Sequence, residues 1–213
     1  MVGGDPGASV GRPRRSVAQP GPIEQHFCRP SVVQRSLEQL NWLQIECFSL
    51  TWNEKMDKAT LYSELNAQLA GLFADETNGL ANAANMCAVL YHGLPELNWV
   101  GFYFLQGGEL VLGPFQGKVA CVRIALGRGV CGSAAQRRET IVVSDVHAFP
   151  GHIACDAASR SEIVVPLVQD GRLLGVIDLD SPELARFDGE DRDGLNTCCQ
   201  LLLGKSDLSR FLA

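Results

Sequence analysis

The sequence lacks any apolar run long enough to cross a bilayer, which needs about 20 consecutive apolar residues. Residues 1–20 also lack the apolar core of a secretory signal. Basic residues form no cluster after the N-terminal Arg-Pro-Arg-Arg run, and the formal net charge is −6. We therefore predict a protein of the reducing cytoplasm that binds neither membranes nor nucleic acid.

Cysteine and histidine patterns typical of metal sites are absent as well. None of the eight cysteines belongs to a Cys-x-x-Cys pair, and no His-x-x-x-His occurs. A metal site formed by His147, His152 and Cys155, together with Cys131, is the alternative to histidines that only hydrogen-bond their loop. We predict no metal and no other bound cofactor. In a reducing compartment the cysteines are not expected to form a disulfide framework, which leaves redox activity open for some of them.

The chain is long enough for one full domain and an extension. Its 213 residues are 46% hydrophobic and 20% charged, as in an ordinary globular protein. Residues 1–36 contain Gly, Pro and Ser without a lasting apolar period, which predicts a flexible arm. We expect Met56 to be the natural start, residues 1–55 to be a flexible or non-native extension, and residues 56–213 to be the catalytic domain.

From Asp57 onward the hydrophobic periodicity predicts regular elements. Their order is two helices, a hairpin, a strand, a short helix, a strand, a long loop, a second hairpin and a final helix. The strands include 98–105, 109–113, 119–126 and 140–143, and the last helix covers 188–203. An antiparallel sheet with helices packed outside it accommodates this order and repeated βαβ units do not, so the predicted fold class is α+β.

Gly127, Gly129 and Gly132 match the pattern Gly-x-Gly-x-x-Gly. A dinucleotide site would also need a βαβ unit around that pattern. Because hairpins surround the pattern here, we interpret the three glycines as a tight turn.

Two carboxylates end the last predicted strand. Side chains alternate along a strand, so Leu174, Val176, Asp178 and Asp180 are expected on one face. Charge at the end of an apolar strand costs free energy unless a cation or a proton lies against it. Asp178 and Asp180 are therefore a candidate binding pair for a ligand ammonium group. The alternative is a pair that merely caps the strand end beside solvent.

Glu162 opens the preceding strand and is the third acidic candidate. An ideal two-residue hairpin at Asp170-Gly171 would pair Glu162 with Leu179, on the face opposite the aspartates. Glu162 can join the aspartates only if the strand bulges. Pro166, which cannot donate to the ladder, is the expected place for that bulge.

Three cysteines are candidate redox thiols. Cys155 lies in a long loop of Gly, His, Ala and Asp residues with little apolar company, and both a reactive and a buried thiol remain open there. Cys131 is predicted in the first turn of a helix, where the macrodipole favours a thiolate. Either Cys131 or Cys121 could instead be packing. If Cys155 is oxidised, a nearby second thiol would condense readily with its sulfenic acid.

Trp99, Gly101 and Tyr103 alternate onto one face of their predicted strand. Most such aromatic residues belong to a core. A Trp and a Tyr separated by a glycine also make a good pocket wall for a thioether or methyl group.

Five long motifs follow one another within about residues 57–213. They are Asn-Trp-Val-Gly-Phe-Tyr, Gly-Pro-Phe-Gln-Gly-Lys-Val-Ala-Cys, Gly-Arg-Gly-Val-Cys-Gly, Asp-Val-His-Ala-Phe-Pro-Gly-His-Ile-Ala-Cys-Asp-Ala-Ala-Ser and Ser-Glu-Ile-Val-Val-Pro-Leu. In this order they resemble the free methionine-(R)-sulfoxide reductases, a family of stand-alone GAF domains. The resemblance implies a six-stranded antiparallel sheet flanked by helices.

The resemblance also implies an activity. It implies an enzyme that reduces the R-sulfoxide of the free amino acid and not of protein-bound methionine. By the same resemblance Cys155 is the attacking thiol, Cys121 and Cys131 are the recycling thiols, and thioredoxin supplies the reducing equivalents. A GAF domain that only senses a small ligand, and a thiol redox switch without turnover, are the alternatives. The sequence leaves a homodimer open.

Finally, the resemblance implies roles for the acidic and aromatic candidates. Glu162, Asp178 and Asp180 would hold the substrate and a proton for its oxygen. Trp99 and Tyr103 would be the pocket walls. Because like charges raise one another's pKa, three close carboxylates are expected to keep one proton near neutral pH.

Overall fold

The structure is a computed structural model that describes residues 57–152 and 156–209. All of them belong to one unit, Glu54–Ala213. The predicted extension at residues 1–55 lies outside the described residues, and so does Cys155.

The described elements occur in the predicted order. They are α1 (Lys58–Leu72), α2 (Gly79–Gly93), β1 (Trp99–Gln106), β2 (Glu109–Gly117), β3 (Arg123–Ala125), α3 (Gly129–Arg137), β4 (Ile141–Val143), a 3-10 turn (Val146–Ala148), β5 (Ser161–Gln169), β6 (Arg172–Ser181) and α4 (Gly189–Lys205). The six strands form one sheet in the order β3-β2-β1-β6-β5-β4, and every neighbouring pair is antiparallel. The predicted α+β class and the six-stranded antiparallel sheet are confirmed.

Helix starts follow the local sequence. Asp57 and Asn78 cap α1 and α2 by accepting hydrogen bonds from backbone N–H groups of the first turn. Asp188 caps α4 in a capping box with Asp191. None of the helices that the structure describes is both long and apolar enough to cross a bilayer.

The sheet separates two apolar layers. Helices α2 and α4 cover one face, and α1 packs against these two helices in the same apolar layer. On this face β1 contributes Phe102 and Phe104, and β6 contributes Ile177 and Leu179. Helix α3 and the long connections cover the other face, where Trp99, Tyr103 and Val176 lie. We call this second side the α3 face. Since side chains alternate along a strand, each central strand supplies both layers.

A buried ionic network fastens α1 to α4 on the first face. Asp191 has no solvent exposure and accepts hydrogen bonds from the hydroxyl of Tyr62, the guanidinium of Arg186 and the ammonium of Lys58. Its carboxylate also accepts from the backbone N–H of Asp188. Every part of this buried charge is therefore compensated, which is the condition under which burial of a carboxylate is tolerated.

One predicted strand is wrong in its extent. The strand expected at 119–126 reduces to Arg123–Ala125, and residues 118–122 form an irregular segment. Val119 is 87% exposed there, so this apolar residue, which begins the predicted strand, is not part of the core. Sequence periodicity cannot separate an exposed apolar residue from a buried one.

Candidate active site

The strand register brings the three predicted carboxylates together. On β5 and β6, Glu162 pairs with Asp180 and Val164 pairs with Asp178. Because Asp178 and Asp180 are next but one along β6, their side chains share the α3 face with that of Glu162. The prediction that Glu162 joins the aspartates is confirmed.

The register shift that makes this possible is not at Pro166, where it was expected. Pro166 pairs regularly with Val176, and the shift lies between Leu167, which pairs with Gly175, and Val168, which pairs with Leu173. The extra residue is Leu174 on β6.

Because of this bulge, the prediction of which β6 side chains share one face of the sheet is partly wrong. Leu174 packs in the layer of α1, α2 and α4, and Leu173 packs on the α3 face. The alternation from Val176 to Asp180 is as predicted, but it does not extend back to Leu174. A bulge changes which residues share a face, and the hairpin sequence does not show where it lies.

The carboxylates line a cavity between the α3 face of the sheet and the segments above it. The cavity encloses about 550 Å³ of empty space, its open mouth included. The lining comes from β1, β5 and β6, which we call the floor, from β3 and the first turn of α3, and from the connections at 119–120 and 156–159, which we call the rim. The lining side chains are Trp99, Tyr103, Val119, Ala120, Ile124, Arg128, Val130, Cys131, His152, Asp156, Ser159, Glu162, Asp178 and Asp180, together with Gly129.

No cation neutralises the three carboxylates within the part of the chain that the structure describes. Burial therefore raises the pKa of Asp178 to about 6, and nearby Cys131 and Glu162 oppose that rise by hydrogen bonding. Burial, followed by the neighbouring aspartates, raises the pKa of Glu162 well above its ordinary value. The pKa of Asp180 rises well above its ordinary value for the same reasons, burial first. The pKa values of all three carboxyl groups are therefore raised, which is the direction expected for close carboxylates.

Asp178 also has an unsatisfied oxygen. Its side chain is buried, and its Oδ1 atom has no hydrogen-bond partner among residues 57–152 and 156–209. A buried acceptor without a donor costs free energy unless a ligand or water supplies one. Asp178 is thus prepared for a hydrogen-bond donor that enters the cavity.

His152 does not supply the missing charge. Its Nε2 atom lies 3.8 Å from Oε2 of Glu162. Partial burial, followed by the charge of His147, lowers the pKa of His152, and burial raises the pKa of Glu162. Both shifts disfavour the charged forms that an ion pair at this contact would need.

Trp99 and Tyr103 form the aromatic wall that the sequence predicts. Their rings stack with centroids 5.9 Å apart, and Trp99 also stacks on Phe115 at 5.6 Å. The indole N–H of Trp99 donates to the carbonyl of Lys118, which fixes the ring plane. Gly101 allows this arrangement, because a Cβ atom at that position would collide with the Trp99 ring.

Cys131 lies beside the carboxylates, with its Sγ atom 4.0 Å from Oε1 of Glu162. It is in the first turn of α3, as predicted, but its surroundings do not favour the thiolate that this position alone would favour. Burial, followed by the charges of Asp178 and Glu162, raises the pKa of Cys131 well above its ordinary value. Desolvation and like charge at close range outweigh the partial charge of a helix terminus.

The other two predicted thiols lie outside regular helices and strands or outside the described residues. Cys121 lies in the irregular segment before β3, is partly buried and packs against the apolar residues of the α3 face. Cys155 lies outside the described residues, which end at His152 and resume at Asp156 on the rim of the cavity. The roles of all three thiols remain predictions.

One member of the alternative metal site, Cys155, lies outside the described residues. The His147 and His152 rings lie edge to face, with centroids 6.5 Å apart. The metal-ligating atoms that do converge belong to Cys131, Glu162 and Asp178, within 4.8 Å of one another. Burial raises the pKa of all three groups, which disfavours the deprotonated forms that bind a metal ion.

Two charged residues of the cavity lining, Asp156 and Arg128, were not predicted from the sequence. Asp156 accepts hydrogen bonds from the Lys118 ammonium and, at 3.4 Å, from the Asn98 amide, so it ties the end of the long loop to the segment before Cys121. Arg128 precedes α3 at the side of the cavity. Each is a single charged residue in a loop, and no local pattern distinguishes such a residue from a solvated one.

Comparison with known proteins places this chain in a family. The family model of the GAF domain matches residues 81–202. The chain is 50% identical over 161 residues to the free methionine-R-sulfoxide reductase of Escherichia coli, which covers 74% of this chain and 98% of the relative. This chain belongs to the free methionine-R-sulfoxide reductase family.

Other members of the reductase family agree. The Saccharomyces cerevisiae free methionine-R-sulfoxide reductase is 41% identical and covers 72% of this chain and 89% of its own. The X-ray structure of the Neisseria meningitidis free methionine-R-sulfoxide reductase in complex with its substrate is 50% identical, with a TM-score of 0.70 and coverage of 74% of this chain and 95% of that one.

Proposed function

We propose that this protein reduces free L-methionine-(R)-sulfoxide to L-methionine. Family membership supports the activity. One observation supports the cavity as the place where the reaction occurs. Three carboxylates without a cation face the same space as a Trp and Tyr wall. The wall suits a thioether side chain, and the carboxylates suit both an ammonium group and the delivery of a proton.

In the proposed reaction the thiolate of Cys155 attacks the sulfoxide sulfur. A neutral carboxylic acid among Glu162, Asp178 and Asp180 protonates the sulfoxide oxygen, because an oxide dianion could not leave. The protonated oxygen then passes from the substrate sulfur to the Cys155 sulfur while the new bond between the two sulfurs breaks. Cys155 is left as a sulfenic acid, and methionine departs two electrons more reduced. The raised pKa values supply the acid form that this step requires.

Recycling follows from thiol chemistry. The thiol of Cys121 or Cys131 condenses with the sulfenic acid of Cys155 and forms a disulfide and water. The dithiol of thioredoxin then reduces that disulfide by exchange and becomes a disulfide itself. Such recycling needs a reducing compartment, in agreement with the expected cytoplasmic location, and no bound cofactor.

The proposed preference for the free amino acid rests on charge. When the cluster keeps one proton, its remaining negative charge binds the substrate's α-ammonium group, which a methionine inside a peptide lacks. Among the residues that the structure describes, the buried Oδ1 atom of Asp178 is an acceptor without a partner.

One assay tests the proposal. NADPH oxidation is followed with thioredoxin and thioredoxin reductase, with free L-methionine R- and S-sulfoxides supplied separately, for the wild type and Cys155→Ser. We expect turnover of the R isomer by the wild type and none by Cys155→Ser. Turnover that survives Cys155→Ser, or that occurs only with the S isomer, contradicts the proposal. Binding without turnover by the wild type would favour a sensor.

A further inference from the structure

Three atoms that can bind a metal ion converge in the cavity. The Sγ atom of Cys131 and one carboxylate oxygen each of Glu162 and Asp178 lie within 4.8 Å of one another. All three residues are more than nine-tenths buried. The set is not the histidine set that the sequence suggests, and no step of the proposed reaction uses a metal.

The spacing of these atoms is close to that of a tetrahedral zinc site. With a Zn–S bond of about 2.3 Å and a Zn–O bond of about 2.1 Å, sulfur and oxygen ligands lie about 3.6 Å apart. The Sγ atom of Cys131 is 4.0 Å from Oε1 of Glu162. The gap exceeds the tetrahedral spacing by only about 0.4 Å, so small side-chain rotations bring the donors into range.

Asp178 gives an independent reason to expect a ligand at this place. It lines the cavity, it is only 7% exposed, and its Oδ1 atom has no hydrogen-bond partner among residues 57–152 and 156–209. In the same residues no Lys or Arg forms an ion pair with Glu162 or Asp178. A buried acceptor in an acidic cavity without a paired cation favours a cation that enters from outside.

The donor types select the class of ion. Mg²⁺ and Ca²⁺ prefer six or more oxygen ligands, and a thiolate does not suit them. Zn²⁺ accepts one sulfur and two oxygens and completes its tetrahedron with a water molecule. The thiol proton of Cys131 passes to solvent as the S–Zn bond forms, and the raised pKa of Cys131 opposes this loss. Only an ion with a strong preference for thiolate overcomes that cost.

We propose that Cys131, Glu162 and Asp178 form an inhibitory site for a thiophilic divalent cation such as Zn²⁺. The ion takes the place that the proposed function gives to the substrate's ammonium group and to the transferred proton. It also holds Cys131, one of the two candidate recycling thiols. Binding of the ion is independent of the proposed function, and only its effect on turnover rests on that function.

The test measures Zn²⁺ binding by calorimetry on the reduced full chain near neutral pH. The background carries Cys121→Ser and Cys155→Ser, so that the other two candidate redox thiols cannot hold the ion. In this background Cys131→Ser and Glu162→Gln should each weaken Zn²⁺ binding at least about 10-fold, because loss of even an outer-shell partner of a metal ligand has an effect of that size. Equal affinities in the three proteins, or a loss in only one of the two variants, overturn the proposal.

Cys87→Ser is the matched control. Cys87 is a fully buried thiol of α2 in the layer on the other side of the sheet, where its Sγ atom lies 3.2 Å from the carbonyl of Pro114. This variant should leave the Zn²⁺ affinity unchanged. Co²⁺ supplies a second readout, because a cobalt–thiolate bond has a charge-transfer band in the near ultraviolet. Cys131→Ser should lose that band and Cys87→Ser should keep it, whereas an unchanged band in Cys131→Ser contradicts the proposal.

Competition tests the inhibitory role. Free L-methionine-(R)-sulfoxide at about ten times its own dissociation constant should weaken Zn²⁺ binding to the background protein about 10-fold by mass action. An unchanged Zn²⁺ affinity would place the ion and the sulfoxide at different sites and reject the inhibitory role.

The metal site and the proposed function can fail separately. Zn²⁺ binding that requires Cys131 and Glu162, with no turnover by the wild type, would support the metal site and reject the reductase activity. Normal turnover by the wild type, with equal Zn²⁺ affinities in all variants, would reject the metal site alone.

Discussion

Replacing Asp178 by Asn should stabilise the folded protein and impair its activity at the same time. Asp178 is buried without a cation, and its Oδ1 atom has no partner among the described residues. The charged form is therefore disfavoured in the folded state, whereas the unfolded chain solvates it freely. Asn has nearly the same shape and carries no charge, so it removes this penalty.

The size and direction of the effect follow from the pKa. Burial raises the pKa of Asp178 from 3.8 to about 6, which corresponds to about 3 kcal/mol of unfavourable free energy once the group is ionised. Between these two pH values the folded state binds more protons than the unfolded state, so the free energy of unfolding falls as pH rises. The penalty is absent below pH 3.8 and complete above about pH 6.

The measurement is urea unfolding of the reduced protein at a series of pH values from 4 to 8. Asp178→Asn should match the wild type near pH 4 and exceed it by up to about 3 kcal/mol at pH 7.5, in proportion to the penalty removed. Its kcat/KM for the free sulfoxide should fall about 100-fold or more, if the carboxylate serves in proton delivery or binding.

A matched control is Asp170→Asn. Asp170 is exposed in the β5–β6 turn at a positive φ of 51°, which Asn adopts readily, so neither stability nor activity should change. An Asp178→Asn protein whose unfolding free energy has the same pH dependence as the wild type would refute the reasoning. The buried carboxylate would then not carry the penalty attributed to it.

Three further predictions concern other parts of the domain. Asp191→Ala removes the acceptor of a buried network and should lower the free energy of unfolding by about 3–5 kcal/mol in urea titrations; an unchanged midpoint would contradict the network's role. Cys131 is buried and its pKa is raised, so mass spectrometry after brief iodoacetamide treatment at pH 7.5 should show less labelling there than at the half-buried Cys121, and equal labelling would contradict this. Gly101→Ala should displace the Trp99 ring, cost about 1–3 kcal/mol of stability and raise KM for the sulfoxide; an unchanged KM would show that the wall position is not required.

The sequence predicts the floor of the site well because strand alternation is local. The common face of Asp178 and Asp180, and that of Trp99 and Tyr103, follow from a period of two and are both confirmed. The need for a bulge to bring in Glu162 also follows from counting residues back from the Asp170-Gly171 turn.

The position of the bulge could not be predicted in the same way. A register shift at any point between the turn and Glu162 would bring the three acids together. Proline suggested Pro166, yet the structure accommodates the extra residue at Leu174, which packs into the layer of α1, α2 and α4. That choice depends on how a leucine fits a tertiary core, and no local propensity reports it.

The ionisation of Cys131 shows a second limit. Its place in the first turn of α3 is visible in the sequence, and taken alone it favours a thiolate. The charges that reverse this preference, from Asp178 and Glu162, lie more than thirty residues away along the chain. The pKa of a buried group depends mostly on such distant neighbours and on burial, and neither is a local property.

Two buried aspartates in this domain differ in their hydrogen-bond partners, and the difference separates a structural residue from a candidate functional one. Asp191 has donors on every side, and removal of its charge partners would leave a buried charge uncompensated. Asp178 has the same side chain and similar burial, yet one of its oxygens has no donor in the described chain. A fold under selection for stability alone would pair it or replace it, because the unpaired state costs free energy. The unpaired acceptor is therefore best explained by a donor that arrives from outside, and the cavity in front of it admits one.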